Sequence, residues 1–399
     1  MPPPPVTDNA SRFARLTTLL CDAQPLWRPV PYREPRPAWC ARLPQLTEEL
    51  LGLDAPAVEA LAGDDRHLVG WLAQRLPELA GLPDLVTLPA SPALPLRDPG
   101  RHFDWAIPGR KRQQIEAFAA AVGPPAAPLI DCCAGKGHLG RFFAAQWSVD
   151  VDSIDIDAAL VDAGARLARR ARQNGQRLAA GDVLADDLAD RLAGRHVVAL
   201  HACGDLHRRL VGAAAGSGAA AIDLSPCCYQ RTQTSPLPAF CGPTALALGR
   251  DDLRLAVTGS ATEAPRQTRR RRRENAWKLG FMSLLSAPGD FVYRPLQPIP
   301  TTWLNEDFAG FCGLLATREA IPLPPAPAWQ AAAAAGQARW HAAERLTLLR
   351  LGFRRAIEVW LALDMLLYLE AAGWSACLSE FCAPALTPRN LLLSARRRA

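Results

Sequence analysis

The chain has 399 residues, 49% of them apolar and 21% charged, which supports a packed core and excludes the composition of a disordered polymer. Lys and Arg outnumber Asp and Glu by 45 to 39, a net charge of +6 that suits a polyanionic partner without demanding one. At roughly 100 to 200 residues per domain, the length implies more than one unit.

Residues 1–27 open with four prolines and offer only the apolar run 16–20, too short for the core of a secretory signal. The longest apolar stretch, 356–369, is interrupted by Glu358 and Asp364 and falls short of the roughly 20 residues a bilayer requires. A cytoplasmic protein without a membrane segment is therefore expected. Its eleven cysteines are expected as reduced thiols, since adjacent pairs such as Cys132-Cys133 and Cys227-Cys228 suit no disulfide framework.

Residues 1–105 are rich in Pro and Trp, with helical patterning at 43–53 and 67–79 and no strand run, and read as a helical N-terminal module. Residues 106–399 read as an α/β domain. A helix at 111–122 stops before Pro124-Pro125, and a strand at 128–132 follows. Then come a helix at 138–146, a strand at 149–155, a helix at 157–174 and strands at 177–180 and 196–201. A helix at 205–215 and a strand at 219–225 complete a βαβ series with a mostly parallel sheet. Residues 230–327 read as an irregular insertion with some helix around 275–285. One long amphipathic helix is expected over 331–372, on the spacing of Leu346, Leu349, Phe353, Ile357, Trp360 and Leu361, with Gly373 ending it. Strands at 375–382 and 390–395 close a seven-stranded sheet, the last inserted antiparallel.

The sharpest local pattern is Leu129-Ile130-Asp131-Cys132-Cys133-Ala134-Gly135-Lys136-Gly137-His138-Leu139-Gly140, a strand entering a glycine turn and then a helix. Glycine belongs there because the backbone must turn tightly and approach a ligand with no Cβ in the way. Asp155 ends the second strand 18 residues after Gly137, close to the roughly 20-residue spacing at which a carboxylate meets a ribose diol. Asp182 and Val183 follow the third strand, where they would flank an adenine. A nucleotide-like cofactor follows, either S-adenosylmethionine, with Asp131 and the turn holding its amino-acid end, or NAD.

The strings Ala134-Gly135-Lys136-Gly137-His138-Leu139, Leu200-His201-Ala202-Cys203-Gly204-Asp205-Leu206 and Ser225-Pro226-Cys227-Cys228-Tyr229 carry a resemblance. So do Pro108-Gly109-Arg110-Lys111-Arg112-Gln113 and Thr387-Pro388-Arg389-Asn390. Together they resemble the methyltransferase domain shared by uncharacterised bacterial methyltransferases, the methyltransferase-like 25 group and the tRNA acceptor-stem 2'-O-methyltransferase. The resemblance implies a class I, Rossmann-like methyltransferase fold with S-adenosylmethionine bound by Asp131, Gly135, Gly137, Asp155 and Asp182. Only Cys21 and Cys40 precede Cys132, so the zinc finger that precedes the tRNA enzyme's domain is missing.

His201 and Asp205, at the end of the fourth strand and the start of its helix, are candidate proton acceptors for methyl transfer. Cys228 and Tyr229 lie in a loop similar to the Asp/Asn/Ser-Pro-Pro-Tyr loop of amino methyltransferases. Cys132, Cys133, His201, Cys203, His207, Cys227 and Cys228 all fall near strand ends and could converge on zinc. They lack a Cys-x-x-Cys pair, and buried thiols without metal are expected. Arg269, Arg270, Arg271, Arg272 and Arg273, with Lys278 and the tail Arg396 to Arg398, are candidate phosphate contacts. The acceptor expected is RNA or a protein side chain; the competing readings are a non-catalytic RNA-binding or scaffold protein and an NAD oxidoreductase.

Overall fold

The computed structural model describes residues 8–100, 103, 107–172, 175–258, 265–286 and 290–398. The opening proline run and residues 173 and 174, expected at the end of a helix, lie outside them. The chain forms two compact units, one of residues 1–22, 78–261 and 353–399 and the other of residues 23–77 and 262–352. The helices of the first 105 residues are accordingly divided between the two.

The first unit holds a seven-stranded sheet of β1 (Leu129–Cys132), β2 (Val151–Asp155), β3 (Gln176–Ala180), β4 (His196–Cys203), β5 (Ala221–Cys227), β6 (Trp374–Glu380) and β7 (Leu391–Arg397). Their order is β3-β2-β1-β4-β5-β7-β6. The first five strands run parallel, and β7 is inserted antiparallel between β5 and β6, as the sequence leads one to expect. β1 and β5 are buried along their whole length, and their polar residues Asp131, Asp223 and Ser225 are buried with them. Phe118, Phe142 and Phe143, from the helices Gly109–Val122 and His138–Trp147, pack with Val151, Val198 and Leu392 of the strands in one core. A reversal of strand order at β1/β4 opens a crevice at the carboxyl edge of such a sheet, and that edge positions the site.

One irregularity shapes that edge. Pro226 lies inside β5 and has no N–H for the ladder, and opposite it the register of β4 shifts between Leu200 and Ala202. The residue skipped is His201, whose φ of 65° is in the left-handed region.

The long helix expected over 331–372 is two helices, Trp329–Leu351 and Arg354–Ala371, and the break at Gly352 and Phe353 is where the chain passes from one unit to the other. Gly373, at a φ of 87°, ends the second as expected. The stretch 230–327 is more regular than expected: it contains the helices Arg250–Ala256, Pro265–Leu285 and Phe308–Glu319. Within the second unit, Pro265–Leu285 and Trp329–Leu351 meet at two glycines. A Cβ on Gly336 would stand 2.3 Å from the carbonyl oxygen of Ala276 and 2.5 Å from the nitrogen of Gly280, so only glycine permits that approach. Phe281, Leu304, Phe311 and Leu315 form an apolar cluster there.

Candidate functional site

The glycine turn is assembled by two acids. Asp155, at the end of β2, accepts the Gly135 amide at 2.7 Å through one oxygen and the Asp157 amide at 3.0 Å through the other. Asp131, on β1, is 1% exposed and accepts from the Gly140 amide at 2.9 Å and the Ser153 hydroxyl at 3.4 Å. Burial pushes the Asp131 carboxyl up to about 7, against the opposing pull of the Gly140 amide, Lys111 and Ser153. Asp131 therefore lies behind the turn and shapes it. Asp157, which accepts from the amides of Ala159 and Leu160, is the helix cap.

The three glycines do different things. A Cβ on Gly140 would fall 2.4 Å from Ser153 Oγ and 2.8 Å from Val151 Cγ1, and one on Gly137 would fall 2.5 Å from Gln176 Nε2, so both serve close packing of helix on sheet. Gly135, at a φ of 57°, has nothing within 4 Å of its Cβ position and presents bare backbone to open space. The Gly135 N–H is taken by Asp155, so what the residue offers is a close approach with no side chain in the way, at the start of the helix His138–Trp147, and this fits the amino-acid end of S-adenosylmethionine. Asp155 and Ala180 are opposed in the β2–β3 ladder, so Asp155 and the segment Gly181-Asp182-Val183 share one edge. Asp182 accepts the Leu184 amide at 2.8 Å in a tight turn, and Val183 is buried behind it.

At the end of β4, the His201 Nε2 faces Gln114 Oε1 at 3.2 Å. Gln114 turns its Nε2 toward the carbonyl oxygen of Leu386 at 3.2 Å, which fixes the amide with its oxygen toward the ring. His201 must then carry its proton on Nε2, leaving Nδ1 a lone-pair acceptor, buried and with no partner. Burial, then Lys111 and Arg389, lower this imidazole to about 4, so it is neutral near pH 7. Lys111 lies in the segment 108–113 that carries part of the resemblance, and Gln114 just beyond it. They lie three residues apart on the helix Gly109–Val122, each one turn before a core residue, Ile115 and Phe118, so periodicity alone groups them with the inward side.

The other candidates take different places. The Asp205 carboxylate accepts the Gln233 amide at 2.9 Å and ties the following loop to the start of the helix Asp205–Gly216. Tyr229 is 2% exposed, and its ring meets His207 edge-on at 5.1 Å. Both rings are buried, and His207 sits against the Ala202 carbonyl oxygen at 3.2 Å; the placement of Tyr229 is that of a packing residue rather than a surface for a base. Cys228 is partly exposed and in a left-handed conformation, φ 46°. The Cys227 thiol donates toward Cys228, and together with Arg231 and Arg389 this brings Cys228 down to about 5. Cys132 is buried in β1 with its thiol held well above the ordinary value, chiefly by burial.

Of the arginine run, Arg272 is engaged within the second unit, at 2.8 Å from Glu59 and 3.0 Å from Glu344. Arg273 donates to the Leu304 carbonyl oxygen, while Arg269 and Arg271 are exposed. No helix among the described residues is long and apolar enough to cross a membrane.

Residues 110–235 match the model of a family described as a methyltransferase domain. No curated protein matches the sequence. Among solved structures, a putative sarcosine dimethylglycine methyltransferase from Galdieria sulphuraria is 16% identical with a TM-score of 0.25, over 29% of this chain and 45% of that one. The 23S rRNA methyltransferase ErmE is 16% identical with a TM-score of 0.24, over 32% and 46%. The glycopeptide N-methyltransferase MtfA complexed with S-adenosylmethionine is 20% identical with a TM-score of 0.25, over 33% and 59%. The chain thus spans about half the length of these structures. The first unit thus carries a seven-stranded, mostly parallel α/β sheet, and residues 110–235 within it are similar to a methyltransferase domain.

Proposed function

We propose that this chain is an S-adenosylmethionine-dependent methyltransferase whose acceptor is RNA. The observation behind the choice of acceptor is that Lys111, Lys136, Arg231 and Arg389 stand among the acids Asp155, Asp182 and Asp205 around the carboxyl edge of the sheet. Lys111 acts on Asp131, His138 and His201, Lys136 acts on His138, and Arg231 and Arg389 both act on Cys228. A phosphodiester chain complements such an edge, and a neutral small acceptor would not use it. The exposed Arg269 and Arg271 are further phosphate contacts in this reading, whereas Arg272 of the same helix is held by Glu59 and Glu344.

The cofactor supplies an electrophilic sulfonium methyl. Asp155, Gly135, Asp182 and Val183 would hold and orient it, while Asp131 and the packing of Gly137 keep the turn in shape. Transfer needs a positioned nucleophile and removal of its proton. His201 Nδ1 takes that proton while Gln114 fixes the tautomer. Asp205, at the start of the helix after β4, and Cys228, in the loop that follows β5, border the acceptor.

The test is transfer of labelled methyl from S-adenosylmethionine to an extract of cells lacking this protein, with the product divided between RNase and protease. Label lost to RNase supports the reading; label lost only to protease replaces RNA by a protein side chain. No incorporation, with cofactor binding intact, would favour a scaffold that has kept the fold.

A further inference from the structure

Three thiols from neighbouring strands converge at the carboxyl edge of the sheet. Cys203 ends β4, Cys227 ends β5 and Cys228 follows it, and their Sγ atoms all lie within 4.8 Å of one another. Cys203 and Cys227, directly opposed in the ladder, have their sulfurs 3.3 Å apart. Two thiolates on a tetrahedral zinc ion at about 2.3 Å stand about 3.8 Å apart, a separation that falls within this range.

The backbone is what makes the cluster. Successive residues of a strand point to opposite faces, so Cys227 and Cys228 would diverge if β5 simply continued. The left-handed Cys228 breaks the alternation and leaves both sulfurs on Cys203. Gly204 then lets the loop close over the end of β4: its amide donates to the Cys227 carbonyl oxygen at 3.0 Å, and a Cβ there would stand 1.8 Å from the Arg231 carbonyl oxygen.

We infer that Cys203, Cys227 and Cys228 bind one zinc ion, with the fourth coordination position open to an exogenous ligand. Three protein ligands with an open place distinguish reactive zinc sites from closed structural ones. Cys227 is buried, whereas Cys203 and Cys228 are partly exposed, so the group opens on one side. Binding expels the thiol protons to solvent. Three thiolates and a divalent ion leave one negative charge on the site. The inference holds whichever acceptor is methylated.

The test uses the full chain, stripped with a chelator under reducing conditions and titrated with zinc against a chromophoric competitor, then with cobalt as a spectroscopic probe. One ion per chain and a cobalt–thiolate charge-transfer band are expected. C203S and C228S should each weaken zinc more than about a hundredfold, beyond the usual effect of losing an outer-shell partner, while C377S on the exposed face of β6 should not. A wild-type chain that cannot hold zinc against the competitor overturns the inference without reference to any variant. So does a triple variant that keeps its zinc, or a Cys203–Cys227 disulfide found in the reduced chain's place with no metal bound.

Discussion

The Asp155 carboxylate accepts the Gly135 amide at 2.7 Å, so the acid that ends the second strand also fastens the turn that leaves the first. A single side chain thereby couples the two places where a bound nucleoside and its amino-acid end would lie. The glycines on either side of that contact can be separated experimentally.

Gly135→Ala meets no neighbour, and its strain is that of a left-handed alanine, on the order of 1–2 kcal/mol. It is expected to lower cofactor affinity with little further loss of stability. Gly140→Ala drives a methyl into Ser153 and Val151 and should cost about 1–3 kcal/mol of folding stability. Urea unfolding beside cofactor titration distinguishes the two. Equal effects of both variants on both measurements would contradict the division.

Asp131 gives a pH signature. Its folded value is raised to about 7 from an ordinary 3.8, so its contribution to stability is fully present below the unfolded value and is lost as pH rises through about 7. Relative to Asp131→Asn, the wild-type chain should lose stability between about pH 4 and pH 7, at a limiting slope of about 1.4 kcal/mol per unit. Denaturant midpoints of both chains at several pH values check it; parallel profiles would show that Asp131 ionises normally.

Much of this was legible in the sequence. The strand series, the antiparallel seventh strand and the placing of Asp155 and Asp182 follow from apolar runs and turn chemistry, which are local. What was not legible depends on contacts distant in sequence. Leu346, Leu349, Phe353, Ile357 and Trp360 keep helical spacing straight through Gly352, so periodicity cannot see the break there. The helix Phe308–Glu319 hides behind Gly310 and Gly313, although Asp307 caps it by accepting the Gly310 amide at 2.7 Å. Tyr229 looks like a presented aromatic until His207 is found against it, and Cys203 lies 24 residues from Cys227 until the β4–β5 register opposes them.

His201→Asn should lower turnover by about a hundredfold or more, the usual size of a general-base contribution, and leave cofactor affinity unchanged. Gln114→Ala frees the ring to change tautomer and should produce a smaller loss of the same kind. Single-turnover rates beside cofactor titration would show it. Undiminished rates in His201→Asn would remove this residue from the chemistry.

Lys111→Met, Arg231→Ser and Arg389→Ser should each reduce the dependence of RNA binding on salt by about one phosphate contact. Arg272→Ser should instead weaken the second unit, because this side chain is tied to Glu59 and Glu344. Binding measured across a salt series separates the groups, and a slope unaffected by the first three would place RNA elsewhere.

Calorimetric titration of the purified chain with S-adenosylmethionine, repeated on Asp155→Ala and with NADH in place of the methyl donor, is the most direct test. One-to-one binding of S-adenosylmethionine, weakened about 10- to 100-fold in the variant by the loss of charged hydrogen bonds, with no binding of NADH, is the expected result. Tight NADH binding, or a wild-type chain indifferent to S-adenosylmethionine, would contradict it.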